Sequence, residues 1–241
     1  MSSTQPQIQI RRMQPSDIPH MAQIASKSYF NTPLSAYLSP HRHTYPEDFN
    51  RRFVQMTRAR YYNPRSIGFV AVSASKPELP IAYAQFIRLG NDEAARRLIA
   101  AQRTVWGTVM GWVVGIWNRI ENWVWPDRSV DVKAVENFGR AVEVDDRKFW
   151  ESEEMKGLYG ERWHAQSVVV SEGWRRRGIG AMLMGEVLKR AGEEGVVVGL
   201  EASEDGERLY RSLGFELRGR FSMLVADIEE GGVMMWRPKG E

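Results

Sequence analysis

Residues 168–180 read Val168-Val169-Val170-Ser171-Glu172-Gly173-Trp174-Arg175-Arg176-Arg177-Gly178-Ile179-Gly180. An apolar strand end passes through a basic, glycine-bearing turn directly into a helix. The first N–H groups of such a helix have no intrahelical partners, and the positive end of its dipole points the same way. The group that this arrangement attracts is an anion, above all a phosphate. The ligand that carries the phosphate decides how the rest of the chain is read.

Three phosphate-binding patterns compete for the turn. The P-loop requires G-x-x-x-x-G-K-[ST]. Gly173 and Gly178 have its separation, but Ile179-Gly180 stands where Lys-Ser/Thr must be. The dinucleotide pattern G-x-G-x-x-G begins at Gly178-Ile179-Gly180 and then meets Leu183. The third pattern, [QR]-x-x-G-x-[GA] between a strand and a helix, is matched by Arg175-Arg176-Arg177-Gly178-Ile179-Gly180. The plain alternative is an arginine-rich solvated turn before an ordinary helix.

A second block lies downstream. Leu200-Glu201-Ala202-Ser203 ends a strand, and Leu209-Tyr210-Arg211-Ser212-Leu213-Gly214-Phe215-Glu216 follows. Gly214 suits a helix C-terminus. On these two blocks, residues 168–216, the chain resembles the GNAT superfamily of acyl-CoA-dependent N-acyltransferases, with L-Y-x-x-x-G-F as the segment that closes the acetyl-CoA site. The wording W-R-R-R-G-I-G and L-E-A-S is most similar to the little-described fungal branch. The N-terminal half agrees with the family in the order of its elements only.

The resemblance implies a GNAT fold: mixed α/β, with a central, mostly antiparallel sheet that splays at the acyl-CoA site. It implies that the pyrophosphate of acetyl-CoA rests on backbone amides of Arg175, Arg176, Arg177, Gly178, Ile179, Gly180 and Ala181. The pantetheine arm would lie along Val168, Val169 and Val170, pairing with the backbone of Val168 and Val170, provided that the strand over 196–201 splays away. Tyr210 matches the tyrosine that protonates the CoA sulfur, and an ordinary phenol pKa of about 10 suits that donation. Glu201 and His164 are both candidates for the base that keeps the amine neutral. Beside these roles stand the plain ones, a solvated strand-end carboxylate and a surface or hydrogen-bonded histidine. Many members carry Asn seven positions before the tyrosine; this chain has Ser203, a shorter reach toward pantetheine.

The composition agrees with a globular enzyme and sets bounds. The 241 residues, 43% hydrophobic and 26% charged, suit one domain with an elaboration. With no cysteine there is no disulfide and no thiol chemistry. A formal charge of +3 is too small to argue for nucleic acid. Residues 1–6 are polar, so no secretory signal is expected and a cytoplasmic or nucleocytoplasmic location is. No metal is expected: His41-x-His43 lacks an accompanying carboxylate pattern and reads as a loop feature.

Outside the two blocks the pattern predicts a strand over 8–11, a helix capped by Ser16 or Asp17 with Pro19 in its first turn, and a loop over 31–46. A helix over 46–60 follows, then strands over 67–73 and 81–89 joined by a turn carrying Pro77 and Pro80. Within this region Tyr29, Phe30, Asn31 and Tyr37 lie where members of the resembled family often bind acceptors. Beyond the phosphate turn a helix over 179–193, a strand over 196–201, a helix over 205–213, a strand over 215–226 and a hairpin turn at 229–232 into a strand over 233–237 complete the reading. One domain thus spans 1–241, with a helical insertion at 91–160.

The insertion is the departure. About 70 residues stand where a short connection would serve. A single long helix is expected over 93–123, then a more charged stretch over 127–159. In the first, Val105, Val109, Val113, Ile116 and Ile120 share a stripe, widened by Trp106, Met110, Trp117 and Val124. Gly107, Gly111 and Gly115 repeat every four residues along one side. The uncharged run 104–117 is shorter than the roughly 20 residues of a membrane span. Three roles remain open: packing on the domain with glycines admitting close approach, a homodimer helix over 93–124, or a Trp-lined cover over the acceptor site. A membrane-surface role ranks last, since the polar face is not strongly basic.

The expected activity is acetyl transfer from acetyl-CoA to a primary amine by direct attack, with a small, partly apolar amine favoured. The alternatives are a non-catalytic acetyl-CoA-binding or regulatory protein, and a protein-lysine or N-terminal acetyltransferase.

Overall fold

The computed structural model describes residues 7–222 and 231–238. Strands β1 (Ile8–Arg12), β2 (Ser66–Ser73), β3 (Lys76–Leu89), β4 (Arg162–Val170), β5 (Val197–Ala202), β6 (Glu216–Arg220) and β7 (Gly232–Trp236) form one sheet in the order β1-β2-β3-β4-β5-β7-β6. Every pairing is antiparallel except β4 with β5. That parallel step requires a crossover, which α8 (Ile179–Glu194) supplies.

Two cores form on the two faces of the sheet. Ile179, Leu183, Met184, Val187 and Ala191 of α8 recur at helical spacing and pack on Phe69, Phe86, Trp163, Val198 and Leu200. On the other face, α1 (Ile18–Tyr29) and α3 (Pro46–Tyr61) bring Met21, Ala25, Phe49 and Phe53 onto Val70, Val72, Tyr83 and Val169. The mixed α/β architecture follows the expectation. Several local features do not.

Asp17 does not cap α1: its carboxylate accepts from the Gln14 N–H (2.7 Å) and from Arg11. The expected loop over 31–46 contains a short helix, α2 (Pro33–Leu38), because Thr32 accepts from the Ser35 N–H and Pro33 sets the first helical φ. Pro77 and Pro80 lie within β3; Pro77 is in its exposed first four residues, and Pro80 pairs with Val72 where the β2–β3 register is irregular, both positions where a missing donor is tolerated. The strand expected over 215–226 is β6 up to Arg220, while residues 223–226 and 229–230 lie outside the described residues.

The largest difference is in the insertion. The helix expected over 93–123 is two, α4 (Glu93–Gln102) and α5 (Val105–Val124), because the Thr104 hydroxyl accepts from the Gly107 N–H (2.9 Å) and starts a new helix. Next come α6 (Val132–Asp146), a π-helical turn at Arg147–Glu151, and α7 (Glu153–Tyr159). Helix α5 packs on α3 with its glycine and polar side. A Cβ on Gly111 would sit 3.4 Å from the Tyr62 carbonyl, Arg58 pairs with Glu121 (2.6 Å), and Gln55 donates to Glu121 (3.0 Å) and Asn122 (2.9 Å). The close approach by glycine is therefore present, yet the apolar stripe faces away from the protein: Trp106 and Trp112 are each 73% exposed and Trp123 84%, and Val114 alone in α5 is buried.

At its neck the insertion is tied to the sheet by Arg88, whose side chain is 1% exposed. Its guanidinium meets Asp92 at the insertion's entry, Glu161 at its exit (3.1 Å) and Glu194 at the end of α8 (2.8 Å). The Asn91 N–H also donates to Glu161 (2.7 Å), and the Trp163 indole donates to Glu194 (3.1 Å). The buried cation is thereby fully paired, and the excess negative charge sits on carboxylates that reach solvent. Helix α9 (Glu204–Ser212) completes the chain between β5 and β6.

Candidate active site

The parallel pairing of β4 and β5 runs from Arg162 opposite Val197 to Ala165 opposite Leu200, and there it stops. Both strands continue, β4 to Val170 and β5 to Ala202, so the sheet opens between them. The parting coincides with a bulge. Gln85 pairs with Ser167 and Phe86 with Ala165, which leaves Gln166 unopposed and bends β4 away. The splay required by the sequence reading is thus built by one extra residue, and the Gln166 side-chain oxygen is buried there without a hydrogen-bond partner.

Backbone groups alternate between the two edges of a strand. The Ser171 N–H donates to the Ile81 carbonyl (3.0 Å), on the β3 side. Val168 and Val170 therefore turn their N–H and C=O toward the opening, and the Val170 carbonyl accepts from Arg175 Nε (3.3 Å). Val169 is not brought there. It pairs with Tyr83, and its side chain is buried in the α1–α3 core, so the expectation for it as a cofactor contact is corrected.

Beyond β4 a 3-10 turn at Glu172–Trp174 leads into the arginine run. Arg176 (φ 60°) and Gly178 (φ +75°) both adopt left-handed backbone, and no atom lies within 4 Å of a Cβ built on Gly178. Gly178 is the N-cap of α8 and carries no capping side chain, so the N–H groups of Ile179, Gly180 and Ala181 face the turn free. Ile179 contributes backbone only, since its side chain is in the core. A Cβ on Gly180 would lie 2.9 Å from Leu209, which places α8 tightly against α9 and its Tyr210. The Arg177 guanidinium lies over the Trp174 ring (4.9 Å), and its N–H donates to the Gly173 carbonyl (3.3 Å).

Tyr210 stands edge-on to Phe215 (5.6 Å between centroids). Burial pushes its phenol well above the ordinary range, and Tyr29 adds to the shift, so it stays protonated. Tyr29 in turn stacks on Phe53 (5.9 Å), and burial raises it, with Ser167 nearby acting the other way. Ser167 donates its proton to the Tyr83 hydroxyl (3.1 Å). Three tyrosines and a serine thus cluster along β4 where the sheet opens. Of the four acceptor candidates, only Tyr29 belongs to this cluster. Phe30 packs edge-on against His43 (4.8 Å) and Phe49 (5.5 Å), Asn31 is exposed, and Tyr37 lies on α2, which packs on α6. The Ser203 hydroxyl accepts from the Gly206 N–H (3.3 Å), capping α9, which commits one of its lone pairs.

The two base candidates are one unit. His164 Nε2 and Glu201 Oε2 are 2.7 Å apart, and the Trp150 indole N–H donates to Glu201 Oε1 (3.2 Å). Burial works to raise the Glu201 carboxyl, but His164's hydrogen bond and charge and the Trp150 donor outweigh it and hold the group below its ordinary range. The carboxylate thereby fixes which histidine nitrogen it engages and leaves Nδ1 unpartnered. Trp150 comes from the insertion, edge-on to His164 (5.6 Å) with Arg162 over its face (4.5 Å). Its ring lies against Gly199, where a Cβ would be 2.4 Å away. Asp146, also in the insertion, is raised by burial and by the charges of Glu201 and Glu151. Neither Trp150 nor Asp146 was foreseen; the one signal was a lone aromatic pair, Phe149-Trp150, in a charged stretch. Among the described residues no group of three or more His, Cys, Asp or Glu is placed to hold a metal.

An opened sheet edge, a free-amide turn and a protonated phenol on the next helix thus meet at one end of β4. Residues 134–217 match the family model described as an acetyltransferase (GNAT) domain. Among solved structures, a Corynebacterium glutamicum histone acetyltransferase-related protein matches with a TM-score of 0.61 at 15% identity, covering 97% of this chain and 98% of that one. An arylalkylamine N-acetyltransferase from Aedes aegypti matches with a TM-score of 0.55 at 11% identity, covering 95% and 98%. A polyamine N-acetyltransferase from Drosophila melanogaster, which forms N-acetylagmatine, matches with a TM-score of 0.54 at 16% identity, covering 96% and 100%. At these identities the likeness is one of fold. Among the described residues no helix is long and apolar enough to cross a membrane.

Proposed function

We propose that the protein moves an acetyl group from acetyl-CoA to a primary amine, with a small, partly apolar amine as acceptor. The observation that carries this is the coincidence of the β4–β5 opening with the free amides of the turn that follows it. The residues present fit the donor. Ile179, Gly180 and Ala181 offer N–H groups to a pyrophosphate, Arg175 to Arg177 add positive charge, and Val168 and Val170 offer an unpaired strand edge to the amide-bearing arm. The arm presents the thioester to the opening.

In this reading Glu201 and His164 take the proton released as the amine nitrogen bonds to the acetyl carbon. Tyr210 gives its proton to the departing sulfur and is reprotonated from water. The aromatic lining by Tyr29, Tyr83 and Trp150 favours an acceptor with an apolar body.

The test is CoA release with a panel of amines. Tyr210→Phe should lower turnover by about 10²-fold or more with acetyl-CoA affinity retained. Glu201→Gln should lower it similarly and displace the acid limb of the pH profile. If acetyl-CoA binds but no amine stimulates release, the non-catalytic alternative replaces this reading. If acetyl-CoA does not bind at all, both fail. Release driven by lysine peptides or protein N-termini in preference to small amines would move the acceptor to the protein class.

We also infer a homodimer through the 93–124 region, seated on α5. Its outward residues expose on the order of 1,000 Å² of mostly apolar surface, against about 300–600 Å² for the largest patch of an ordinary monomer. A standard interface takes about 800 Å² per partner. The outward arc carries one charge, the exposed Arg119 beside Ile116 and Trp123, which a second copy must leave at the rim of the interface. Sedimentation should give a dimer that Ile116→Gln with Trp123→Gln dissociates. A monomer that floats with anionic vesicles would assign the face to lipid instead.

A further inference from the structure

A cavity of about 560 Å³ lies between α5, the end of α3 and the start of β2. Its lining includes no residue of β4, β5 or α9, so it is separate from the acyl-transfer opening. Its volume falls within the range of small-molecule sites. The insertion makes it: Trp106 and Trp112, largely exposed, border its outer edge, and Tyr61 and Tyr62 also line it.

Two features of its polar lining stand out. Gln85 and Ser66, 2% and 5% exposed, both border it, and Gln85 Oε1 and Ser66 Oγ have no hydrogen-bond partner. Gln85 Nε2 already donates to the Thr57 carbonyl (3.4 Å), so its oxygen is the end left to a ligand donor. Buried polar atoms are normally satisfied, and two orphans on one cavity point to an occupant. Three arginines, Arg12, Arg60 and Arg103, also border the cavity. Among the described residues none of the three has a carboxylate partner, in contrast to the paired Arg11, Arg51, Arg58 and Arg88 nearby. Burial lowers Arg60, the half-buried member, and outweighs the opposing influence of Tyr83 and Tyr29.

We propose that this cavity is a binding site for a small aromatic carboxylate carrying an N–H or O–H group. The carboxylate meets the unpaired guanidinium groups, the ring lies among the tryptophans and tyrosines, and the donor satisfies Gln85. The inference does not depend on the acetyltransferase reading.

The probe is 4-hydroxyphenylacetate, titrated calorimetrically into the full chain, with its neutral amide as control. Saturable binding is expected at or below about 1 mM, with the amide at least about tenfold weaker. Arg60→Gln should weaken the acid about tenfold while leaving the amide unchanged, and should not unfold the protein, because the charge it removes has no partner. Trp106→Ala, at a largely exposed position, should weaken both ligands. Acetyl-CoA should neither displace the probe nor bind differently in these variants. Absence of saturable binding, equal binding of acid and amide, or displacement by acetyl-CoA would each overturn the proposal.

Discussion

Helices α8 and α5 are both apolar and glycine-bearing, yet they are oriented oppositely. In α8 the periodic residues Ile179, Leu183, Met184, Val187 and Ala191 are buried beneath the sheet. In α5 an equally regular stripe of Val, Ile and Trp faces outward, and the helix is held by Gly111, Asn118 and Glu121 against α3. Periodicity says which side of a helix is apolar; it does not say which side meets the protein. The connections on either side of α8 force it onto the sheet, since a parallel β4–β5 step must cross it. The insertion is under no such constraint.

The contrast can be broken from its strong end. Leu183→Ala, in the core beneath α8, should cost about 2–5 kcal/mol in chemical denaturation. A much smaller loss would mean that α8 is not packed as described. Gly199→Ala sits where the two regions touch: its Cβ would be 2.4 Å from the Trp150 ring. A loss of about 1–3 kcal/mol is expected, together with a change in Trp fluorescence and a weakened Glu201 unit. An unchanged spectrum would separate the insertion from the site.

The attachment of the insertion to α3 should respond to acid. The Arg128 hydrogen bond, outweighing burial, holds the Asp48 carboxyl below its ordinary range. A lowered folded-state pKa gives stability that is present above the unfolded value, about 3.9, and lost as pH falls through the folded one. The stability difference between wild type and Asp48→Asn should therefore be constant near neutrality and close below about pH 4. A gap that persists in acid would remove Asp48 as its source. The smallest effect belongs to the outward stripe. Ile116→Gln should change the stability of the isolated protomer by less than about 0.5 kcal/mol, and any larger loss must vanish on dilution.

What was legible follows the same division. The strand–turn–helix at 168–180 and the Tyr210 helix were readable because their chemistry is local: glycine where φ is positive, no cap where amides must be free. Glu201 and His164 were found separately, but their 2.7 Å contact depends on register across two strands. Trp150 was not found because it reaches Glu201 from 51 residues away. The break at Thr104 carried its own cap signal, which the continuous apolar pattern around it obscured. The placement of Val169 failed for a simpler reason, since adjacent strand residues serve opposite edges.

The three carboxylates around Arg88 have a consequence for how this chain tolerates change. Its long excursion leaves and returns at a single address, and it meets the sheet again through Trp150, against Gly199 and Glu201. Closure entropy grows slowly with length, by about 0.6 kcal/mol for each doubling. A junction of this kind is a socket: the outward stretches of the appended helices are free to diverge or lengthen while the Trp150 turn and the strands on either side stay in register.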